Sequence, residues 1–166
     1  FLKPNIEKTS LAYASSKMIG SLYCYKVNYE NKKYQWMTII PATIYGQKIS
    51  KNNKNMHVIN AMISKLMYNK KVSFFGSGNV RREFIHIQDL ISAIFFIDKK
   101  KIFSPIINVG VGYDIRIKKL SKLISQLISY KGKIVWKKNK KFEGAKKKLL
   151  NTKLLFDKGW LPKITL

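Results

Sequence analysis

The chain has 166 residues, 46% of them apolar and 25% charged, proportions of a folded globular domain that exclude simple disorder. Lysine and arginine total 33 against 8 acids, a formal net charge of +25, which makes a polyanionic partner one class of function to weigh. A single cysteine, Cys24, excludes a disulfide framework, and two histidines, His57 and His86, are too few for a structural zinc site. No apolar run nears the ~20 residues that span a bilayer, and the opening FLKPNIEKTS lacks the layout of a signal peptide, so the chain reads as cytoplasmic. It begins at Phe1, with helix signals at once, and reads as a fragment of a longer polypeptide.

In chain order, Ser10 is placed to cap a helix from Leu11 to about Tyr29, with Leu11, Ile19, Leu22 and Val27 as apolar positions. Cys24 falls inside this helix and reads as a core thiol. Residues 35–41, QWMTIIP, are β-branched and aromatic and suit a buried parallel strand. After the polar loop GQKISKNNKN, Asn55 is the candidate cap of a helix over 57–68, with Val58, Ile59, Met62, Ile63 and Leu66 at helical spacing. Short strands are expected at 72–75 and 83–87, on either side of the turn GSGNVRR. Asp89 opens a helix through Ile97 whose dense apolar content predicts packing on more than one side.

A strand follows Pro105 in IINVG. A long amphipathic helix over 117–129 then turns Leu120, Leu123, Ile124, Leu127 and Ile128 inward. Residues 133–136 are a further strand, and a short helix over 152–157 ends at Gly159 as C-cap. Strands alternating with helices predict an α/β protein. The glycines of Gly76-x-Gly78 and Gly110-x-Gly112 read as turn residues, because neither pair continues into a dinucleotide fingerprint.

The basic charge looks like a compositional habit. Only Arg81, Arg82 and Arg116 are arginine, and the lysines scatter, whereas nucleic-acid readers favour arginine's planar fork grouped with stacking aromatics. The exception is WKKNKKFEGAKKK, residues 136–148, where lysines crowd two aromatics: either a solvated loop or a grip for phosphates.

Tyr13 and Lys17 stand four apart in SLAYASSKMIG, so a helix projects both from one face. An unperturbed phenol titrates near ~10, and a cation one turn away favours its ionised form, as does the positive end of the helix. Lowering it to ~7 takes roughly 4 kcal/mol. The spacing alone is a weak pattern in a chain so rich in both residues, and a half-buried tyrosine on an amphipathic helix explains it equally well.

Context adds more. YASSK, a strand leading into PATIYG, then NMHVI, GSGNVRREFIHIQD, INVGVG and KFEGAKKKLL resemble, in order and over nearly the whole chain, the second half of the extended short-chain dehydrogenase/reductases that act on nucleotide sugars. Within that family the GDP-L-fucose synthases are the nearest group. The resemblance implies the C-terminal half of an NAD(P)-binding Rossmann-type fold with a smaller substrate domain: residues 1–56 completing the dinucleotide domain, and 57–166 mainly binding the nucleotide sugar, with segments returning to the Rossmann sheet. It implies NADPH-dependent epimerisation of GDP-4-keto-6-deoxy-D-mannose at C3 and C5 and reduction at C4.

On this chain the resemblance makes Tyr13 the proton donor to the C4 oxygen, Lys17 the holder of the nicotinamide ribose, and His57 an acid in epimerisation, a role suited to an imidazole that titrates near neutrality. Tyr13, Lys17 and His57 would also line the cofactor. Pro41, Ala42, Thr43 and Ile44 fall at the strand-end loop that borders the nicotinamide. Lys65, Phe75 and Arg82 match substrate contacts, the lysine and arginine facing the diphosphate, and Glu143 and Lys148 fall in the segment that approaches the guanosine end, which makes the lysine-rich stretch a nucleotide-diphosphate cradle. No metal is implied, and the whole enzyme would form a homodimer.

Family members commonly carry asparagine at Thr43, arginine at Lys65, tryptophan at Phe75 and aspartate at Glu143, which leaves the sugar and base open. The family's glycine-rich loop and its catalytic serine or threonine precede the Tyr-x-x-x-Lys helix and are not among these 166 residues, so this polypeptide alone is expected to be inactive. Two alternatives stand beside this reading: a nucleotide-sugar 4-epimerase or dehydratase of the same superfamily, and a basic nucleic-acid-binding module.

Overall fold

The computed structural model describes residues 11–31, 33, 35–46, 56–137 and 145–166. Its first element is α1, Leu11–Glu30, a twenty-residue helix with no buried residue. Leu11, Ile19 and Leu22 are exposed on it. Cys24 is half-buried on this helix and is no core thiol. The expected cap, Ser10, lies outside the described residues. The helix is fastened at its far end, where the Asn28 side chain accepts from Trp36 N–H (2.8 Å) and donates back to Trp36 O. Tyr23 meets the Trp36 ring edge-on at 6.3 Å.

The next segment changes partners midway. β1 (Thr38–Pro41) runs parallel to β6 (Ile106–Val109), with Thr38 opposite Ile106 and Pro41 opposite Val109. Pro41 has no N–H to carry the ladder further. At buried Ala42 the chain crosses over: Ala42 N–H donates to Val109 O, and Thr43 N–H donates to Glu83 O. β2 (Thr43–Tyr45) then pairs in parallel with β5 (Phe84–His86). The expected strand over 35–41 thus begins later and is followed by a second one that the sequence pattern did not mark.

α2 (Val58–Tyr68) has His57 at its N-cap position, and the proposed cap Asn55 lies outside the described residues. β3 (Lys71–Phe75) pairs in parallel with β8 (Lys133–Lys137). α4 (Ile117–Leu127) supplies Ile117, Leu120 and Ile124 to the interior; Leu127, expected inward, is 76% exposed because the helix ends there. α3 (Ile87–Lys99) buries Leu90, Ala93 and Ile97, spaced for one face, while Ile91, Ile94 and Phe95 are exposed. It packs on one side only, against the expectation from its composition. Three two-residue strands, β4 (Arg81–Arg82), β7 (Ile115–Arg116) and β9 (Lys147–Lys148), form a small sheet with β4 in the middle. α5 (Lys153–Asp157) precedes Gly159, whose φ of +94° is a helix-ending conformation.

Two apolar cores result. One joins β1, β6, α3 and α5 through residues such as Ile107, Val109, Ala93 and Leu155. The other joins α2, α4, β3 and β8 through Met62, Leu66, Phe74 and Leu120. β5 is the wall between them: strand alternation sends Phe84 into the second core and Ile85, fully buried, into the first. Paired β2 repeats the division, with Ile44 packed against the first core and Tyr45 against the second. Among the described residues no helix is long and apolar enough to cross a membrane.

Candidate active site

Tyr13 and Lys17 project together from α1. The Lys17 Nζ lies 5.7 Å from the centroid of the Tyr13 ring, a cation–π distance, and the phenol is 69% exposed. The local backbone is satisfied without either side chain, since Ser16 Oγ donates to Tyr13 O at 2.8 Å. Both polar ends therefore face solvent. His57, extended at the start of α2, is also exposed, and its side chain makes no capping hydrogen bond.

Pro41, Ala42, Thr43 and Ile44 form the crossover from β1 to β2, at the carboxyl ends of β1 and its partner β6. Ala42 is buried and the other three are half-buried. The turn after Tyr45 is shaped by His86: a Cβ on Gly46, at φ +102°, would collide with the imidazole. That ring also meets Tyr45 edge-on at 5.1 Å, and its Nδ1 accepts from Gln88 N–H at the head of α3. Burial pushes the Tyr45 phenol up, with smaller contributions from Tyr113 and Asp89.

Arg82 and Lys148 are directly opposed in the register of β4 and β9. Three consecutive residues clasp the segment that carries Lys148. Arg81 N–H donates to Lys146 O (2.9 Å), Arg82 Nη1 to Ala145 O (2.7 Å), and Leu150 N–H donates to Glu83 Oε2 (2.9 Å). Phe75, 54% exposed, ends β3. Lys65 does not meet it: its Nζ sits 5.7 Å over Phe74, which faces the opposite side of the strand. Glu143 lies outside the described residues. Two surface hollows, of about 250 and 680 Å³, are lined by residues around Lys101 and Phe103 and around Tyr68 and Tyr130, and neither includes a residue expected at the site.

Residues 2–110 match the pattern of the NAD dependent epimerase/dehydratase family. The chain belongs to that family. It is similar to GDP-L-colitose synthase of Yersinia pseudotuberculosis, 33% identical with 99% of this chain and 55% of that protein covered. It is similar also to putative GDP-L-fucose synthase 2 of Arabidopsis thaliana, 34% identical with 97% and 50% covered. In fold it resembles GDP-D-glycero-L-gluco-heptose synthase from Campylobacter jejuni, solved in the presence of NADPH, at a TM-score of 0.77 and 21% identity, covering 97% of this chain and 57% of that one. The architecture is accordingly the α/β, Rossmann-type fold of extended short-chain dehydrogenase/reductases. The chain spans about half the length of the curated relatives it matches.

Within this family member the acids do work that the sequence reading left unassigned. Glu83, 3% exposed, accepts from Val111 N–H (2.7 Å), Gly112 N–H (2.8 Å) and Leu150 N–H, and so locks the turn after β6. Asp89, equally buried, accepts from Lys163 and Ile164 N–H and fastens the C-terminal segment. Asp114, its side chain 3% exposed, is held by the Arg81 guanidinium, and Lys147 Nζ lies 3.7 Å from its other oxygen. The hydrogen bond from Arg81 is the main reason its carboxyl titrates below the ordinary 3.8, against the opposing effect of burial. The available signal was scarcity: with 8 acids in 166 residues, a carboxylate beside an apolar run marks a position where backbone N–H groups need an acceptor.

Proposed function

We propose that the polypeptide carrying this chain is an NADPH-dependent epimerase-reductase that converts GDP-4-keto-6-deoxy-D-mannose to GDP-L-fucose. The observation that carries the reading is the exposed Tyr13–Lys17 pair, phenol and ammonium on one face of the first turns of α1. Asn28 and Trp36 join the helix to the strand segment.

The residues present suit the nicotinamide-ribose end of the cofactor. An exposed ammonium with three donors and an exposed hydroxyl can bind ribose hydroxyls, while the 166 residues hold no glycine-rich strand-turn-helix for the pyrophosphate. Bound NADPH supplies the hydride. In this reading Tyr13 gives its proton to the C4 oxygen as that carbon is reduced, and the Lys17 ammonium offsets the negative charge left on the phenol oxygen. His57, its side chain unused in capping α2, acts as the acid that reprotonates the sugar during epimerisation. Arg82 and Lys148 hold the diphosphate between neighbouring strands, and Phe75 gives the nucleotide sugar an apolar face.

The test is to supply GDP-4-keto-6-deoxymannose and NADPH to the whole polypeptide and follow nicotinamide oxidation together with the product sugar. Oxidation with formation of a 6-deoxy-L-sugar is expected. No oxidation overturns the reading, and interconversion at C4 without net redox change would assign the protein to the 4-epimerases instead.

A further inference from the structure

All three arginines of the chain lie on the small sheet β7–β4–β9. Its register sorts the cations into two rows. Arg116, Arg81 and Lys147 are aligned across one row, and Ile115, Arg82 and Lys148 across the next, so the two rows face opposite sides. Like charges opposed on adjacent strands repel. In the first row the repulsion is offset by Asp114, which grips Arg81 on β4 and attracts Lys147 on β9 from a buried position at the head of β7. Strands of two residues have little ladder of their own to fix their alignment. The carboxylate therefore links β7 to Arg81 on β4 and to Lys147 on β9, in addition to the bonds from Arg82 to Ala145 and from Leu150 to Glu83 that hold the β9 segment.

We propose that Asp114 is a positioning residue for nucleotide-diphosphate binding: by clamping Arg81 and Lys147 on one face of the sheet, it keeps Lys148 beside Arg82 on the other. This rests on the reading above, in which Arg82 and Lys148 hold the diphosphate. Without the carboxylate, Arg81 and Lys147 push apart, β9 shifts against β4 within the bonds that hold its ends, and the second cation of the cradle moves relative to the first.

The inference has a distinctive sign. Asp114→Asn removes a negative charge close to an anion site, so a purely Coulombic effect would tighten anion binding. Positioning predicts the reverse. The experiment titrates GDP-mannose, a stable nucleotide-diphosphate sugar, into the whole polypeptide and its variants by calorimetry. Asp114→Asn is expected to bind about tenfold more weakly, the scale of one lost charge-assisted contact, and Asp114→Glu to recover part of the loss. Binding by Asp114→Asn as tight as wild type or tighter, with Arg82→Ala weakened, would overturn the inference and leave the cradle standing. Wild-type affinity in Arg82→Ala would overturn the cradle, and the inference with it. Should Asp114→Asn not fold, Asp114→Glu carries the test alone: it keeps the charge and displaces the carboxylate, so positioning predicts weaker binding where a Coulombic effect predicts no change. Weakened binding supports the clamp, and wild-type affinity sinks it.

Discussion

The Glu83 carboxylate occupies the space that a Cβ on Gly110 would need. Gly110 closes β6, and the same carboxylate takes the N–H groups of the two residues after it, so the turn can approach the acid only because the residue at 110 has no side chain. Gly110→Ala is expected to lower stability by about 1–3 kcal/mol through overpacking. Glu83→Gln should cost about 2–3 kcal/mol, because an amide turns an NH2 toward at least one N–H that the carboxylate had satisfied. Urea denaturation measures both, and an unchanged midpoint for Glu83→Gln would remove the acid from its structural role.

Asp114 makes stability depend on pH in a defined direction. Its carboxyl titrates below the ordinary 3.8 when folded, chiefly through the hydrogen bond from Arg81. A depressed folded pKa contributes stability that is complete above the unfolded value and is lost as pH falls through the folded one. The difference in melting temperature between wild type and Asp114→Asn should hold steady from about pH 7 to 5 and narrow toward about pH 3. A difference that stays constant across that range would mean that the carboxyl titrates alike in the folded and unfolded chain, and that the Arg81 contact contributes nothing through its charge.

Asn28 pairs with both backbone groups of Trp36, as a neighbouring strand would. Asn28→Ala should leave both cores intact, cost about 1 kcal/mol, and speed amide exchange selectively along Leu11–Glu30. Uniform acceleration across the chain would contradict an attachment so localised.

Tyr13→Phe separates chemistry from folding. The phenol is exposed, so its loss should change stability by less than about 0.5 kcal/mol. In the whole polypeptide, reductive turnover should fall by at least about a hundredfold, the usual share of a positioned proton donor. Nucleotide-sugar affinity should stay as it was. Full turnover in the phenylalanine variant would assign the proton to another group.

Helices and strands with several turns or several alternations were legible in the sequence: α1, α2, β3, α4 and β8 fall within a few residues of their expected bounds. The two-residue strands β4, β7 and β9 were not, because so short a run carries no period, and their pairing depends on segments more than thirty residues away. The partner switch at Ala42 was equally hidden, since one continuous apolar run serves both ladders. For α3, composition suggested burial all round, but the faces of Ile91, Ile94 and Phe95 have nothing packed on them in the described chain. At the candidate site, helical spacing was enough to bring Tyr13 and Lys17 together. Distances along the chain could not foretell that Lys65 reaches Phe74 rather than Phe75, nor that Glu83 and Asp89 would hold backbone N–H groups while Asp114 holds Arg81.

The alternation of Phe84 and Ile85 sets how the molecule comes apart. Each apolar core closes on a side chain that shares a peptide bond with a side chain of the other, so neither can open without pulling at its neighbour. Melting should accordingly be one concerted event across both halves. A mutation that enlarges one interior would be felt as loosening in the other, through a partition only one residue thick.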